Sequence, residues 1–462
     1  MRVKLDSSLG PVHLVGIGGS GMSGIARVLL ARGFQVSGSD TRETQEIHAL
    51  RALGARVAIG HAAVNLLQFG IPVAAVITST AISVDNPELI EAHTMPCEII
   101  HRSEALATLL VGRKSVAVAG THGKTTTTSM TAVTLQSLGL DPSYAIGAGL
   151  GSAGSNAHHG NGDFFVIEAD ESDKSFLAYA PDSAIITNIE ADHMDQFTSL
   201  TEIDNSFLEF AHSVSKSLVL CGDDAGVQRL LAKFDRQVVS YGLFATNDLV
   251  ISEYHPVNAG SIFSAHLRGR KLGSFALQVP GVHNALNAAA VIAMSAEYGL
   301  SMEGVRKGLA EFAGARRRFD IRGMVSKVTV VDDYAHHPTE IIATLKAARE
   351  VAPRGRIIAI FQPHRFSRLQ AFMSEFASAL TVADEVAIMD VYGAGESALP
   401  GVSGMRLAAL IPGATFLPSF LDVSEWAAKI SQPGDYIFTL GAGDVTLLGP
   451  AILEQLAVVA RS

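Results

Sequence analysis

At 462 residues, the chain is long enough for three domains of roughly 100–200 residues each. Hydrophobic residues make up 48% of it and charged residues only 17%, which provides for several buried cores and excludes a disordered chain. The formal net charge of −10 argues against a nucleic-acid-binding protein, which needs a broad basic face. It does not exclude anionic small molecules, because a few local cations and backbone N–H groups can bind a phosphate.

Other classes are excluded by features that the sequence lacks. Two cysteines, Cys97 and Cys221, cannot form a disulfide framework or a thiolate metal cluster. The first residues lack the apolar core of a secretory signal, and no apolar run approaches the roughly 18 residues of a membrane span. We therefore expect a cytoplasmic protein without a membrane span.

The first predicted strand runs into a glycine-rich turn that opens a helix. The turn is Gly16-Ile-Gly18-Gly-Ser-Gly21, and Asp40 ends the next predicted strand, FQVSGSD. This spacing fits the dinucleotide-binding fingerprint, in which a pyrophosphate lies at a helix N-terminus and the acid binds a ribose hydroxyl. Taken alone, the pattern is typical of an NAD-dependent dehydrogenase, but a UDP-sugar carries a pyrophosphate too. The glycines could also serve only the close packing of strand and helix.

A second strand–turn–helix unit, after a predicted domain boundary near residues 102–113, carries the strongest chemical signal. The strand SVAVA is followed by Gly120-Thr-His-Gly-Lys124-Thr125 and then by a helical stretch. Glycine lets the backbone approach phosphate oxygens, Lys124 can reach the β- and γ-phosphates, and the Thr125 hydroxyl can complete a Mg²⁺ shell. Val118 stands where the strict phosphate-loop pattern has glycine. An ordinary turn with an exposed lysine is the alternative, but the context favours a nucleotide site.

Two acidic clusters follow apolar strands downstream of this turn. In a parallel sheet both would lie at the edge that holds the phosphate loop, and crowded acids repel one another unless a cation compensates. We therefore favour a Mg²⁺ site over the alternative, in which the acids cap helices and the histidine belongs to the core. The clusters comprise Glu168, Asp170, Glu171 and Asp173, followed by Asn188, Glu190, Asp192, His193 and Asp195.

The remaining sequence predicts a β-rich excursion and a third sheet. Short alternating strands lie between about residues 240 and 280, before a second boundary near Ala315. Strands KVTVVDDY, RIIAIFQ, EVAIMDVY and DYIFTLGAG then predict the third sheet. Arg365 and Arg368 follow one of these strands; on a helix they would share a face and could grip an amino-acid carboxylate. A solvated charged face is the alternative.

Taken in order along the chain, these motifs closely resemble the Mur ligase family, and within it the alanine-adding branch. The resemblance rests on VGIGGSGMSG, SGSD, GTHGKTTT, EADESDKSF, TNIEADHMD, HNALNA, RRFD, VDDYAHHPTE, FQPHRFSR and TLGAGD. It implies an α/β protein of three domains, with N- and C-terminal Rossmann-like parallel sheets flanking a central phosphate-loop ATPase-like domain. The implied limits are 1–104 for the UDP-substrate domain, 105–316 for the ATP domain and 317–462 for the amino-acid domain.

The same resemblance assigns roles to individual residues. Nucleotide binding falls on Gly120, Thr121, His122, Gly123, Lys124, Thr125 and Thr126, together with His283, Asn284, Asn287, Arg317 and Asp333. Metal binding falls on Thr125, Glu168 and His193, and catalysis on Lys124, Glu168 and His193. UDP-sugar binding falls on Gly18, Ser20, Gly21, Ser39, Asp40, Ser79 and Thr80, with Ser155 and Asn156 at the muramate. Amino-acid binding falls on Tyr334, His336, His364, Arg365 and Arg368.

The reaction that the resemblance implies is ATP-dependent amide-bond formation between UDP-N-acetylmuramate and L-alanine. It passes through an acyl phosphate, uses Mg²⁺ and belongs to peptidoglycan precursor synthesis. The expected assembly is a monomer or a weak homodimer without nucleic-acid partners. A related ligase that attaches a recycled tripeptide to the same UDP-sugar is the nearest alternative. An NAD-linked oxidoreductase with an accessory ATP site and a nucleotide-gated binding protein without turnover are more remote.

Overall fold

The computed structural model describes residues 5, 8, 10–150, 155–194 and 196–461, and within these residues three sheets follow one another along the chain. Parallel strands dominate each sheet and alternate with helices. The predicted α/β class and the three-domain organisation are therefore confirmed. The limits at 104/105 and 316/317 stay predictions; the helix Arg102–Leu110 spans the first of them.

The first domain is a parallel sheet with helices between its strands. Its strands are β1 (Val12–Val15), β2 (Val36–Asp40), β3 (Arg56–Ile59), β4 (Ala75–Thr78) and β5 (Glu98–His101). Its helices are α1 (Ser20–Ala31), α2 (Gln45–Ala52), α3 (Pro87–Ala92) and α4 (Arg102–Leu110). The order β3-β2-β1-β4-β5 starts at the central strand, moves to one edge and then crosses to the other side. This is a Rossmann-like arrangement, and its switch point lies beside the glycine-rich turn after β1.

The central domain contains a larger, mixed sheet. Its strands are β6 (Lys114–Ala119), β7 (Ser143–Leu150), β8 (Ser155–His158), β9 (Phe164–Glu168), β10 (Ser183–Ile186), β11 (Ser217–Cys221), β12 (Val239–Gly242), β13 (Leu249–Val257), β14 (Gly260–Leu267) and β15 (Arg270–Leu277). Its helices are α5 (Lys124–Ser137), α6 (Leu200–Ser213), α7 (Ala225–Leu231), α8 (Val282–Glu297) and α9 (Met302–Glu311). The strand order is β15-β14-β13-β12-β11-β10-β6-β9-β7-β8. Strands β13 to β15 pair antiparallel, which confirms the predicted β-rich excursion.

The C-terminal domain returns to a mainly parallel sheet in the order β16-β17-β21-β18-β19-β20, defined as follows. The strands are β16 (Asp320–Val325), β17 (Val328–Asp333), β18 (Ile357–Phe361), β19 (Glu385–Ile388), β20 (Thr415–Phe416) and β21 (Tyr436–Leu440). The helices are α10 (Pro338–Val351), α11 (Phe366–Ala371), α12 (Met373–Leu380), α13 (Gly404–Ala408), α14 (Phe420–Ile430) and α15 (Leu448–Val459). Among the described helices, none combines the length and apolar character needed to cross a bilayer.

One hydrophobic core continues from the first domain into the central domain. Buried apolar residues of α1 and α4, such as Ile25 and Leu106, belong to the same cluster as Ala117 on β6 and Ile167 on β9. Helix α1 also contacts β7 and β8. Burial of apolar side chains is the main favourable term in such packing. This shared core holds the N-terminus of α1 beside the central sheet.

Gly120, directly after β6, has no room for a side chain. Its φ is +131°, and an added Cβ would lie 2.0 Å from Thr187 Oγ1. Such a backbone conformation is open essentially to glycine alone. The turn after β6 therefore depends on glycine at this position.

We predict that Gly120→Ala lowers the free energy of unfolding by about 2–5 kcal/mol, since it adds both backbone strain and a collision. Urea denaturation of the purified chain measures the change. Gly139→Ala is the matched control, because Gly139 also has a positive φ (+73°) but lies in open space. It should cost about 1–2 kcal/mol from strain alone. Equal losses in the two variants would contradict the close approach to Thr187.

Candidate active site

Three neighbouring parallel strands of the central sheet end at one place. Strand β6 pairs with β9 on one side and with β10 on the other, and all three run in the same direction. The turn 120–123 follows β6, Glu168 ends β9, and Thr187 and Asn188 follow β10. Carboxyl ends of parallel strands share one edge of a sheet, so this edge collects the turn and both acidic clusters.

The end of β10 fixes the backbone of the turn. Asn188 Oδ1 accepts a hydrogen bond from His122 N at 2.8 Å, and Thr187 Oγ1 donates one to His122 O at 2.6 Å. Gly123 adopts the left-handed conformation at the start of α5, with φ 80°. Within the described structure, no side chain caps α5 and no acid lies in its first turn. The N–H groups there can therefore receive an anion, favoured by the helix dipole.

Lys124 begins α5 and turns its ammonium group back over the loop. Lys124 Nζ donates to Gly120 O at 2.7 Å and lies 2.8 Å from Glu171 Oε2. Burial alone would lower the pKa of Lys124, but the charges of Glu171 and Asp170 raise it above its ordinary value. Burial raises the pKa of Glu171 to about 7, although the charge of Lys124 opposes that rise. The lysine is thus a fixed cation beside the loop.

A hydroxyl and carboxylates beside the loop form an oxygen-rich set. Thr125 Oγ1 donates to Glu168 Oε1 at 2.9 Å, and Glu168 Oε2 accepts from Gly147 N at 2.6 Å. His193 Nε2 lies 3.8 Å from Glu171 Oε1. Burial lowers the pKa of His193, which leaves its imidazole neutral near pH 7. Hydroxyl and carboxylate oxygens are the ligands that Mg²⁺ prefers, so this donor set fits a hard divalent cation.

A cavity of about 310 Å³ opens beside the loop, between the central and C-terminal domains. An added Cβ on Gly123 would lie 2.8 Å from Asn287 Oδ1, so the start of α8 stands against the loop. Asn287 Nδ2 donates to Asn284 Oδ1 at 3.4 Å, and Asn284 Nδ2 donates to Pro280 O at 2.7 Å. Amides offer donors and acceptors together, which suits the edge of a purine base. The lining also includes His122, Thr126, His283, Arg318 and Asp333.

His283 and Asp333, which both line this cavity, have strongly shifted pKa values. Burial and the charge of Arg318 lower the pKa of His283 to about 4, so the imidazole is neutral at pH 7. Burial raises the pKa of Asp333 to about 6, although its carboxylate accepts hydrogen bonds from Phe319 N and Ala335 N. A buried acid so held can bind a hydroxyl donor such as a ribose.

His122 carries its side chain to the boundary between the two domains. Its Nε2 lies 3.4 Å from Glu190 Oε2, and its Nδ1 lies 3.4 Å from Glu340 Oε1. Burial alone would lower the pKa of His122, but Glu190 and Glu340 raise it to about 9. Ligand atoms of His122, Glu190 and His337 lie within 4.8 Å of one another. His337 Nδ1 accepts a hydrogen bond from Thr339 N, and the two carboxylates that flank His122 face its two ring nitrogens.

A smaller cavity of about 190 Å³ lies between the central domain and α11. Arg368 donates to Asp192 Oδ1 from Nε at 3.1 Å and from Nη2 at 2.9 Å, and both side chains are buried. Burial would raise the pKa of Asp192, but the charge of Arg368 holds it well below its usual range. Helix α11 begins at Phe366, so Arg365 precedes it with φ 66°. The prediction that the two arginines share a helical face is therefore wrong, because Arg365 lies outside the helix.

Aromatic rings from three segments form a row that reaches Arg368, whose Nη1 lies 3.4 Å from His364 Nδ1. Tyr334 and His336 have ring centroids 5.1 Å apart, and His336 and His364 have theirs 6.0 Å apart. His364 stacks on Tyr392 at 5.7 Å. Burial lowers the pKa of His336 to about 3 and that of His364 to about 4, which leaves both rings neutral. The structure thus brings together the residues predicted to bind the amino acid.

The glycine-rich turn of the first domain is fixed by its acid, Asp40. Asp40 Oδ2 accepts a hydrogen bond from Gly18 N at 2.9 Å. Ser39 has its side chain fully buried, and its Oγ donates to Glu88 Oε2 at 2.5 Å. Its carbonyl accepts from Gly16 N at 2.8 Å. Ser39 therefore supports the turn through its carbonyl, while its hydroxyl bonds to the buried Glu88.

A third cavity, of about 130 Å³, runs between the first and central domains from Gly21 on α1 to Glu168 at the end of β9. Arg102 lines it and donates from Nη2 to Asp173 Oδ2 at 2.8 Å. Thr80 Oγ1 donates to the same oxygen at 3.5 Å. The cavity connects the glycine-rich turn with the oxygen-rich set beside the phosphate loop.

The remaining predicted UDP-sugar residues lie near this same boundary. Asn156 Nδ2 on β8 donates to Ser23 Oγ on α1 at 3.2 Å, and Ser79 directly follows β4. Outside the described structure lie residues 151–154 and 195 and the side chains of Ser20 and Ser155.

Comparison with known proteins agrees with this architecture. Family models match residues 11–114 as the Mur ligase catalytic domain, 118–295 as the Mur ligase middle domain and 317–443 as the Mur ligase glutamate ligase domain. A UDP-N-acetylmuramate–L-alanine ligase of Saccharopolyspora erythraea is 47% identical over 96% of this chain and 93% of its own length. The chain belongs to the Mur ligase family. The resemblance predicted from the motifs is confirmed.

Further relatives align with this Mur ligase along nearly all of its length. A UDP-N-acetylmuramate–L-alanine ligase of Acidothermus cellulolyticus is 48% identical over 97% of this chain and 95% of its own. The solved UDP-N-acetylmuramate–alanine ligase of Thermotoga maritima has a TM-score of 0.81 and 31% identity, covering 97% of this chain and 99% of its own. A solved murein peptide ligase of Psychrobacter arcticus has a TM-score of 0.68 and 25% identity.

In this Mur ligase, the adjacent residues Arg317 and Arg318 have different hydrogen-bond partners. Arg317 Nη2 donates to Gly441 O at 2.6 Å, after β21, and Arg317 is not part of the nucleotide-cavity lining described above. Arg318 lines that cavity and donates from Nη1 to Glu340 Oε1 at 3.2 Å. The RRFD motif contains both arginines, but the sequence-based prediction gave the nucleotide role to Arg317. Arg102 had no local signal, since its partner Asp173 is 71 residues away.

We predict that Asp192→Asn lowers the free energy of unfolding by about 3 kcal/mol, because it leaves the buried Arg368 guanidinium without its counter-charge. Urea denaturation measures the loss. Asp163→Asn is the matched control, since Asp163 pairs with Lys114 at 3.1 Å but lies at the surface. That change should cost less than about 1 kcal/mol. Similar losses in both variants would mean that the Arg368 pair is not desolvated.

Proposed function

We propose that this Mur ligase uses ATP and Mg²⁺ to join L-alanine to the lactyl carboxylate of UDP-N-acetylmuramate, in cytoplasmic peptidoglycan precursor synthesis. The observation that carries the proposal is the position of the Thr125–Glu168 pair. It lies beside Lys124 and also at the end of the cavity that begins at the glycine-rich turn. A nucleotide phosphate and a carboxylate on a UDP-linked substrate can meet there. Relatives at 47% and 48% identity are named for the same reaction.

The nucleotide occupies the cavity between α8 and the C-terminal domain in this proposal. The amides of Asn284 and Asn287 face the adenine edge, and Asp333 receives the ribose. The terminal phosphates lie at the N-terminus of α5, where backbone N–H groups point outward. Lys124 then exchanges Glu171 for the β- and γ-phosphates and neutralises the charge that develops on the transferring phosphoryl group.

Thr125, Glu168 and His193 would hold the divalent cation. When bound, Mg²⁺ neutralises phosphate oxygens and draws electron density from the γ-phosphorus. The chain prepares this role, because the hydrogen bond from Gly147 N fixes Glu168 and directs its other oxygen to Thr125. Thr125 directly follows Lys124 in the chain, so a cation held by the Thr125 hydroxyl would lie close to the lysine.

Two bond-forming steps complete the proposed reaction. A lactyl carboxylate oxygen attacks the γ-phosphorus of ATP, which yields an acyl phosphate and ADP. The neutral amine of L-alanine then attacks the acyl carbonyl, and phosphate leaves from the tetrahedral intermediate to give the amide. Arg365 and Arg368 hold the alanine carboxylate, for which guanidinium groups are well shaped. To do so, Arg368 has to share or exchange its bond to Asp192.

The test is phosphate release from ATP in the presence of UDP-N-acetylmuramate, with each amino acid supplied singly and with the tripeptide of the recycling alternative. We expect release with L-alanine and formation of the amide product by mass spectrometry. Release with the tripeptide alone, NADH formation without ATP, or no turnover would each contradict the proposal.

We predict that Lys124→Ala reduces phosphate release on the order of 10³-fold, since the transition-state cation is lost. Binding of UDP-N-acetylmuramate, measured by calorimetry, should change by less than about threefold. Lys114→Ala is the matched control, because Lys114 is an exposed lysine at the start of β6, the strand that leads into the phosphate loop. This control should keep wild-type phosphate release and wild-type binding of UDP-N-acetylmuramate. Equal loss of phosphate release and UDP-sugar binding in Lys124→Ala would contradict separate sites on separate domains.

A further inference from the structure

The backbone of His122 is part of the phosphate loop, and its side chain lies at the boundary between the central and C-terminal domains. Asn188 Oδ1 and Thr187 Oγ1 at the end of β10 hold its N–H and its carbonyl. Its imidazole lies between Glu190 of the central domain and Glu340 in the first turn of α10. A displacement of the loop therefore moves this ring relative to the C-terminal domain.

The C-terminal side of this boundary is a compact group at the start of α10. Thr339 Oγ1 donates to Glu190 Oε2 at 2.7 Å, which is a direct contact between the two domains. Arg318 Nη1 donates to Glu340 Oε1 at 3.2 Å, and Glu340 Oε2 accepts from His336 N at 3.1 Å. Glu340 is thus fixed on its own domain while Oε1 also faces the imidazole.

Two acids that face a boundary from opposite sides repel each other unless a cation lies between them. Both Glu190 and Glu340 have an oxygen 3.4 Å from a ring nitrogen of His122. Burial acts to raise the pKa of Glu190, but the hydrogen bond and charge of His122 lower it. The docked position of α10 therefore depends on a positive charge that the phosphate loop supplies. The side chains of His122 and Glu340 are only 11% and 9% exposed, so the charge interacts more strongly with Glu340 than it would in a surface pair.

We propose that His122 is a positioning residue that couples nucleotide binding at the phosphate loop to docking of the C-terminal domain. This inference rests on the proposed function, because it takes the terminal phosphates of the nucleotide to lie at that loop. A nucleotide that orders the loop also orders the His122 ring between the two acids. Docked α10 then holds the amino-acid cavity against the central domain. Without the imidazolium, each domain keeps its own ligand contacts but the two dock less often.

The kinetic test compares His122→Gln, Glu340→Gln and the double variant in the phosphate-release assay. We expect each single variant to raise the KM for L-alanine about tenfold or more. The double variant should be no worse than the stronger single variant, within about threefold, because both changes remove the same interaction. Glu340→Gln does not alter the phosphate loop, so it tests the same interaction even if His122→Gln fails to fold. Losses that multiply in the double variant would overturn the proposal.

Tyr254→Phe is the matched control for loss of contact between these domains. Tyr254 OH on β13 donates to Glu350 Oε2 in the last turn of α10 at 2.6 Å, at the opposite end of that helix. We expect this variant to keep the wild-type KM for L-alanine within about threefold. His122→Lys, which restores a cation, should recover part of the loss. A tenfold rise in Tyr254→Phe, or no recovery in His122→Lys, would indicate general loosening of the boundary and overturn the proposal.

A second measurement does not depend on ligation. Small-angle X-ray scattering follows the radius of gyration on addition of AMP-PNP with Mg²⁺, while calorimetry confirms that the nucleotide binds. We expect the radius of gyration of the wild-type chain to decrease. His122→Gln should bind the nucleotide without this decrease. Equal compaction in both, or loss of nucleotide binding in His122→Gln, would overturn the coupling. Compaction without amide formation in the wild type would instead contradict the proposed function.

Discussion

Three adjacent parallel strands, β9, β6 and β10, end at the same edge of the central sheet, and the candidate active site is built on that edge. The register leaves Gly120 without space for a Cβ beside Thr187, so the turn after β6 is fixed against the end of β10. Once the turn is fixed, Lys124 and Thr125 start α5 in a single orientation. The acids at the end of β9 and after β10 then lie beside Lys124 and Thr125, because their strands are direct neighbours of β6.

A common feature of the site is that each of its principal cations is paired with a carboxylate. The pairs are Lys124–Glu171 at 2.8 Å, Arg102–Asp173 at 2.8 Å and Arg368–Asp192 at 2.9 Å. The second pair joins the first domain to the central one, and the third joins the central domain to the C-terminal one. In the proposed function, an anionic substrate group that replaces the carboxylate of the second or third pair also changes a contact between domains. Removing one partner from a buried ion pair destabilises the fold strongly unless another anion takes its place. Substrate binding at those two pairs would therefore be linked to the domain arrangement.

The sequence allowed prediction of the features that depend on local spacing. The strand–turn–helix pattern located Lys124 and Thr125, and the strand-end rule located Glu168 beside them. Alternating strands and helices were enough to predict the three α/β domains. The directions of individual side chains were not predictable in this way. Arg317 and Arg318 are neighbours in the chain, but Arg318 lines the nucleotide cavity whereas Arg317, which has a positive φ, donates to Gly441 O. The partner of Arg368 lies 176 residues away, so no local pattern could identify it.

The central claim is that the terminal phosphates of ATP lie against the turn 120–125, with a divalent cation between them and Glu168. A crystal structure of the chain with AMP-PNP and Mn²⁺ tests it most directly, because the anomalous signal of Mn²⁺ locates the cation independently. We predict a Mn²⁺ peak within bonding distance of Thr125 Oγ1 and a Glu168 oxygen, with Lys124 Nζ moved from Glu171 to the γ-phosphate. A nucleotide bound elsewhere, with Lys124 still paired to Glu171 and no Mn²⁺ beside Thr125, would contradict the account.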